Sequence, residues 1–122
     1  MAQPVLLIED DDDIRMLAEL SLRLAGIDVV ACREGRAGLA AMETTEFSLV
    51  LLDVMMPDMS GYEVLQRIVE RFGEQAPPVA LFTARPKDAT LRDLIGRMSV
   101  HVLAKPFEPT ELAESVKQLM KT

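Results

Sequence analysis

Several kinds of residue are scarce in this chain, and each shortage excludes a class of protein. The 122 residues include one cysteine, Cys32, and one histidine, His101, so we expect neither an internal disulfide nor a zinc or iron site built from clustered Cys and His. Lys and Arg number 13 against 20 Asp and Glu, and the net charge of −7 argues against a nucleic-acid surface. No apolar run approaches the roughly 18 residues of a membrane span, and the first residues given lack the basic region and the longer apolar stretch that are typical of a signal peptide. A cytoplasmic protein without a membrane or direct nucleic-acid partner is therefore expected.

The rest of the composition is that of one globular domain. Hydrophobic residues make up 49% of the chain and charged residues 27%, which are ordinary values for a domain with a buried core. No linker or low-complexity tract interrupts the sequence, so residues 1–122 are predicted to form a single domain. The position of Met1 shortly before the first apolar run slightly favours a stand-alone protein over a piece excised from a larger regulator.

Short apolar runs alternate with segments of helical periodicity. The runs are continuous rather than alternating, which is typical of parallel strands covered on both faces. They lie at 5–8, 27–32, 48–52, 79–82 and 100–104, and the helical segments at 14–24, 36–44, 64–72, 91–98 and 112–119. Strand and helix thus alternate five times, which predicts an α/β sandwich with a parallel sheet.

Capping residues mark where the helices begin. Asp12 is predicted to accept hydrogen bonds at the start of the first helix, and Ser60 has capping-box spacing with Glu63. Pro109 suits the first turn of the last helix. Five residues of the first helix are predicted to face the core: Ile14, Leu17, Ala18, Ser21 and Leu24.

Polar residues follow four of the five predicted strands. Glu9 and Asp10 follow the first strand, Asp53 the third, Thr83 the fourth and Lys105 the fifth. Functional groups gather at the carboxyl ends of the strands in an open α/β sheet, so these side chains should converge on one edge. Carboxylate oxygens suit Mg²⁺, which completes its octahedron with waters and phosphate oxygens. The set therefore predicts phosphoryl transfer.

Each of these residues has a predicted role in that chemistry. Asp10 and Asp53 would bind Mg²⁺ directly and Glu9 through a water, while a carboxylate can also act as the nucleophile and form an aspartyl phosphate. Lys105 would offset charge on the phosphoryl oxygens, and the Thr83 hydroxyl would donate a hydrogen bond to one of them.

Structural alternatives exist for the same residues. Asp53 could cap a loop, Lys105 could pair with Asp53 only to stabilise the fold, and Thr83 could bond backbone in a turn. Their placement at the ends of different strands favours the functional interpretation. The peptide before Pro106 is a candidate cis bond that would aim Lys105 inward.

Four segments of the chain resemble receiver domains of bacterial two-component response regulators, including the chemotaxis-regulator type. They are "LLIEDD", "LVLLDVMMPDMSGYEVL", "VALFTA" and "LAKPFEPTEL". The resemblance implies a flavodoxin-like three-layer sandwich with strand order 2-1-3-4-5. It also implies that Asp53 accepts phosphate from a phosphohistidine of a sensor histidine kinase or phosphotransfer protein. The implied Mg²⁺ site consists of Glu9, Asp10, Asp53 and the backbone carbonyl of Met55, and Mn²⁺ could substitute.

The resemblance further implies a switch. Phosphorylation would shift a two-state equilibrium of an interaction face formed by the fourth predicted helix, the fifth strand and the fifth predicted helix. The domain would be a phosphoacceptor that assists its own phosphorylation and slow dephosphorylation rather than an enzyme. The downstream protein target is unknown, and phosphorylation-dependent dimerisation is left open.

Some positions depart from the family pattern. Val102 stands where many members carry the aromatic switch residue, so the usual switch is in doubt, and His101 beside it is a candidate substitute. Met55 and Arg85 occupy the positions that flank the path of the hydrolytic water in the family. Met55 cannot hydrogen-bond to water and Arg85 cannot act as a base, so slow self-dephosphorylation is predicted.

Other classes fit less well. A flavin-binding protein of the same fold would not place five acids after the first strand, and no phosphate-binding loop of P-loop enzymes is present. A haloacid-dehalogenase-like phosphatase would carry a second Asp where Met55 lies. The serious alternative is a receiver-fold interaction module that no longer takes phosphate.

Overall fold

A computed structural model describes residues 3–57, 59–84 and 100–120 of the chain. Five parallel strands form one sheet in the order β2-β1-β3-β4-β5, which confirms the expected flavodoxin-like topology. The strands are β1 (Val5–Ile8), β2 (Val29–Cys32), β3 (Leu49–Asp53), β4 (Val79–Thr83) and β5 (Val100–Ala104). The helices are α1 (Asp12–Leu24), α2 (Gly35–Thr44), α3 (Gly61–Phe72) and α4 (Pro109–Leu119), with a short 3-10 helix at Gly73–Gln75. The helix predicted over 91–98 lies outside the described residues.

Two hydrophobic layers cover the sheet, one on each face. Leu6 and Leu52 belong to the layer that packs under α2 and α3, whereas Leu7 and Leu51 belong to the layer under α1 and α4. All four side chains are fully buried. Each contributes about 1.5–3 kcal/mol to folding by leaving water. Continuous apolar runs are therefore required, because both faces of every central strand are covered.

The strand register brings the ends of the strands to one edge. Ile8 of β1 lies opposite Leu52 of β3, and Thr83 of β4 lies opposite Ala104 of β5. Glu9 and Asp53, which follow Ile8 and Leu52, therefore emerge at the same level, and Lys105 lies two residues beyond that level on the β5 side.

Two of the predicted helix starts are confirmed and one is wrong. Ser60 Oγ accepts a hydrogen bond from the Glu63 amide at 3.2 Å, and α4 begins at Pro109. Asp12, in contrast, is the first residue of α1 and not its cap. Asp11 caps the helix instead, because its Oδ1 accepts a hydrogen bond from the Ile14 amide at 3.0 Å.

The predicted core face of α1 is also partly wrong. Ala18, Ser21 and Leu22 are buried. The small side chains of Ala18 and Ser21 allow α1 to lie close to the sheet. Leu17 and Leu24, which were expected in the core, are 46% and 79% exposed. Together with two further exposed side chains they form the α1 stripe, which consists of Met16, Leu17, Leu20 and Leu24. Within the described part of the chain, no helix is both long and apolar enough to cross a membrane.

Candidate functional site

Lys105 lies between two buried carboxylates at the carboxyl edge of the sheet. Its Nζ donates hydrogen bonds to Glu9 Oε1 at 2.5 Å and to Asp53 Oδ1 at 2.9 Å. Glu9 is 0% exposed and Asp53 is 3% exposed, so neither charge is stabilised by bulk water. The ammonium therefore compensates carboxylates that would otherwise be costly to bury. The expected convergence of residues that follow β1, β3 and β5 is present.

Glu9, Asp10 and Asp53 form a cluster of hard oxygen donors. One carboxylate oxygen from each lies within 4.8 Å of the other two. Oxygens on opposite sides of an octahedral Mg²⁺ are about 4.2 Å apart, so small side-chain movements would fit this cluster to such an ion. Three carboxylates around one ammonium also leave an excess of negative charge. The donor chemistry and the charge both fit a small divalent cation.

Burial and neighbouring charges shift the pKa values of Asp53, Asp10 and Lys105. Desolvation raises the pKa of Asp53 above its ordinary value, and the neighbouring Glu9 adds to the rise while Lys105 opposes it. Desolvation likewise raises the pKa of Asp10, with a further contribution from Asp53. Burial would lower the pKa of Lys105, but its hydrogen bonds to Glu9 and Asp53 outweigh that effect and raise it. The lysine is therefore a fixed cation in this site.

Backbone amides and one arginine hold the acidic loops in place. Asp53 Oδ1 accepts a hydrogen bond from the Met55 amide at 3.3 Å, and Glu9 Oε2 accepts one from the Asp11 amide at 3.2 Å. Arg15 Nη1 donates to the Glu9 carbonyl at 3.0 Å. The sequence interpretation did not assign a role to Arg15. Its helical spacing from Asp12, with which it forms an ion pair, was the available signal.

Gly61 allows α3 to begin directly beside the end of β3. A Cβ at this position would collide with the carbonyl oxygen of Asp53 and would lie 2.7 Å from Val54 Cα. The Gly61 amide instead donates to the Val54 carbonyl at 2.9 Å. Only glycine permits this approach, which fixes the loop that follows Asp53.

Thr83 and an aromatic neighbour complete the edge. Thr83 is buried at the end of β4, and its carbonyl accepts a hydrogen bond from the Lys105 amide at 2.7 Å. The peptide bond between Lys105 and Pro106 is cis. The Lys105 ammonium lies 4.8 Å from the ring centroid of Phe82, which adds a cation–π contact. Phe82 was not singled out from the sequence, although it immediately precedes Thr83.

The residues expected to tune the site occupy different environments. Met55 is 75% exposed and lines a cleft of about 250 Å³ together with Asp10 and Asp53. Val102 is partly buried against the core under α2 and α3, whereas His101 is exposed. Arg85 lies outside the described residues.

Comparison with known proteins identifies the family. The family described as response regulator receiver domain matches residues 5–117. The chain is 37% identical over 120 residues to the transcriptional regulatory protein YkoG of Bacillus subtilis, covering 96% of this chain and 50% of YkoG. The chain spans about half the length of the transcriptional regulators that it matches.

Solved structures agree on the fold. The chemotaxis protein CheY4 of Vibrio cholerae superposes with a TM-score of 0.88 at 24% identity, covering 98% of this chain and 99% of that chain. The receiver domain of the sensor histidine kinase PA1611 of Pseudomonas aeruginosa superposes with a TM-score of 0.84 at 24% identity, covering 98% of each chain. That structure contains a magnesium ion coordinated in the active site cleft.

The family match relates the acidic pocket to the phosphoacceptor site of receiver domains. Receiver domains are phosphoacceptor signalling domains of two-component systems, and histidine kinases phosphorylate them. The pocket of Glu9, Asp10 and Asp53 is consistent with a phosphoacceptor site of this type. The chain belongs to the response regulator receiver domain family.

Proposed function

We propose that Asp53 accepts a phosphoryl group from the phosphohistidine of a sensor kinase or phosphotransfer protein, in a reaction that requires Mg²⁺. The observation that carries this proposal is the position of the Asp53 carboxylate, which lies among Glu9, Asp10 and Lys105 at the base of an open cleft. A carboxylate that served only to stabilise the fold would not need two further acids beside it, since their mutual repulsion is unfavourable.

The hydrogen bonds to Asp53 indicate which of its oxygens reacts. Among the described residues, both groups that donate to this carboxylate, the Lys105 ammonium and the Met55 amide, bind Oδ1. We therefore assign Oδ2 as the nucleophile. Its electron pair forms the new O–P bond, while the P–N bond of the phosphohistidine breaks and leaves its electron pair on the imidazole.

The other residues of the site stabilise the transferred group. Lys105 is held as a cation beside Oδ1 and would offset negative charge on the phosphoryl oxygens, and the Thr83 hydroxyl would donate a hydrogen bond to one of them. Glu9, Asp10, Asp53 and the Met55 carbonyl would hold Mg²⁺, which when bound supplies positive charge to the phosphoryl oxygens. The magnesium ion in the PA1611 receiver supports this choice of cation. Mn²⁺ has the same preference for oxygen ligands and could substitute.

The phosphodonor must contact the surface around the cleft. Helix α1 begins at this cleft, since Asp11 and Ile14 line it, and its α1 stripe continues away from the site as exposed apolar surface. We propose that the donor protein packs on the α1 stripe, because an apolar strip at the mouth of the site would position the phosphohistidine near Asp53.

Residues 1–122 would act as one receiver unit whose phosphorylation alters an interaction face. This face would include β5, α4 and the segment 91–98, which lies outside the described residues. Val102 fills the usual aromatic position as a partly buried aliphatic side chain in the core layer, so no ring at this position can move inward. Phosphorylation would therefore act on this face through Thr83 and the backbone of β5, to which Thr83 is hydrogen-bonded.

Phosphorylation with a small donor tests the proposal. The wild type, Asp53→Asn and a control, Asp28→Asn at an exposed acid, are incubated with acetyl phosphate and Mg²⁺, and their intact masses are measured. The wild type and the control should each gain one phosphoryl group, and Asp53→Asn should gain none. Equal labelling of all three proteins would show that Asp53 is not the acceptor. Absence of labelling in every protein would favour the alternative, an interaction module that no longer takes phosphate.

A further inference from the structure

A groove between α2 and α3 carries a concentration of positive charge. It has a volume of about 440 Å³, and it shares no lining residue with the cleft that contains Asp53. Its walls are exposed side chains and its floor consists of buried apolar ones. The lining residues that matter are Arg36, Arg67, Arg71, Glu43, Leu39 and Met59.

The arginines of this groove are largely without acidic partners. Arg71 Nη1 donates to Glu43 Oε1 at 3.1 Å. The side chains of Arg36 and Arg67 make no hydrogen bond or ion pair with any residue that the structure describes. Three guanidinium groups around one carboxylate give this groove a local positive charge in a chain whose net charge is −7. Such an excess favours a negatively charged ligand.

The packing of the two helices produces this convergence. A Cβ at Gly35 would clash with Val64 Cγ2, so α2 and α3 approach each other closely at these two residues. Arg36 directly follows Gly35, and Arg67 lies one turn after Val64 on α3. The two side chains therefore enter the groove from opposite helices, and Arg71 follows Arg67 one turn further along.

We propose that this groove binds a carboxylate-rich segment of a partner protein. Arginine pairs with carboxylates through two parallel hydrogen bonds, and the Arg71–Glu43 pair shows that a carboxylate already fits within the groove. The three arginines are exposed and stand on the regular faces of two helices. The set spans two helices and one turn of α3, a spread that suits an extended peptide segment better than a single compact phosphate. The site does not depend on Asp53.

Binding of a negatively charged peptide tests this proposal, because the protein as a whole is negatively charged and should repel such a peptide. A fluorescein-labelled poly-glutamate peptide is titrated with the protein at low salt, and binding is followed by fluorescence anisotropy. A chain of net charge −7 should repel this peptide unless a local positive site binds it. We expect binding to the wild type that weakens as salt is added. No binding at low salt would overturn the proposal.

Charge-reversal variants locate the site. Arg36→Glu and Arg67→Glu should each weaken peptide binding by roughly fivefold to tenfold, since an exposed charge pair is lost and a repulsion is introduced. Arg23→Glu makes the same charge change at an exposed arginine of α1 and should leave binding nearly unchanged. An equal loss in Arg23→Glu would show that only the net charge matters. Displacement of the peptide by pyrophosphate at equimolar concentration would assign the groove to small phosphates and overturn the choice of ligand.

Side-chain NMR provides an independent readout. The Nε–Hε signals of Arg36, Arg67 and Arg71 should shift when the peptide is added, while that of Arg23 should not. These shifts should be the same in an Asp53→Asn background, because the groove lies apart from the acidic site. Shifts confined to other arginines would overturn the proposal.

Discussion

The ammonium of Lys105 lies 2.9 Å from Oδ1 of Asp53, although the two residues are 52 positions apart in the chain. The contact passes over β4, since Asp53 ends β3 and Lys105 follows β5. It places a cation against a carboxylate that is nearly without solvent exposure. The pair therefore stabilises the folded site before any phosphoryl group or metal ion arrives.

Removal of this cation should destabilise the protein. In Lys105→Met, Glu9 and Asp53 would be left buried without their shared partner, and we expect the free energy of unfolding at pH 7 to fall by about 2–4 kcal/mol. The loss should diminish as pH falls, because Asp53, whose pKa is raised by burial, takes up a proton. Urea denaturation measures both effects. The control Lys117→Met, at an exposed lysine, should change stability by less than about 0.5 kcal/mol.

Without Mg²⁺, the negative charge of Asp10 should lower the stability of the folded protein at neutral pH. Burial raises the pKa of Asp10 above 3.8, so its charged form costs stability at neutral pH, and this cost disappears as pH falls below 3.8. Without Mg²⁺, Asp10→Asn should therefore be more stable than the wild type at pH 7, by about 1 kcal/mol or less after solvent screening. The difference should vanish near pH 3.

Added Mg²⁺ should reverse that order. The wild type should gain about 2.7 kcal/mol at a Mg²⁺ concentration one hundred times the dissociation constant, and Asp10→Asn should gain much less because it lacks a ligand. The gain should decline as pH falls, since protons compete for carboxylates with raised pKa values. Thermal unfolding with and without EDTA measures it. Equal stabilisation of both proteins would contradict the proposed ligand set.

Met55 should lengthen the life of the phosphorylated state. Its exposed thioether lines the cleft beside Asp53 and cannot orient a water molecule. We expect Met55→Asn to shorten the half-life of the phosphoprotein several-fold, because the amide can hydrogen-bond to an attacking water. Phosphate release after removal of the small donor measures this. Met55→Leu is the matched control and should behave like the wild type; a wild-type half-life of seconds would contradict the prediction.

The α1 stripe should affect transfer from a protein donor only. Leu20→Lys changes an exposed residue of the stripe, so it should leave both unfolding and labelling by acetyl phosphate unchanged. Transfer from a phosphorylated histidine kinase should slow by tenfold or more, because a charge replaces an apolar contact. Val69→Lys, on the exposed face of α3, is the control. If both variants slow equally, the stripe is not the donor surface.

Most of the fold could be predicted from the sequence, because strands that are buried on both faces of a parallel sheet appear as continuous apolar runs. The run 5–8 coincides with β1, and 100–104 coincides with β5. Glu9 follows the first predicted strand and Asp53 the third, so the proximity of these two carboxylates could be predicted from strand ends alone. The helix cap at Ser60 could also be predicted, because the Ser60 hydroxyl and the Glu63 amide that donates to it lie only three residues apart in the chain.

Other features depended on contacts that no local pattern contains. The buried face of α1 is set by how closely Ala18 and Ser21 allow the helix to approach the sheet, and apolar periodicity alone placed Leu17 and Leu24 there wrongly. The cap at Asp11 was missed because adjacent acids offer several equivalent starts. Two hydrogen bonds make Asp11 the cap. Its carboxylate accepts a hydrogen bond from the Ile14 amide, and its backbone amide donates one to the Glu9 carboxylate.

The sequence by itself determined the parallel α/β architecture and which carboxylates stand at the ends of the strands, because hydrophobic periodicity and strand ends are local properties. Only the tertiary structure decided how the charges are distributed. It placed Lys105 between Glu9 and Asp53, and it brought Arg36 and Arg67 from separate helices into one groove. Electrostatic interactions depend on distance in space and on burial, and neither quantity can be read from separation along the chain.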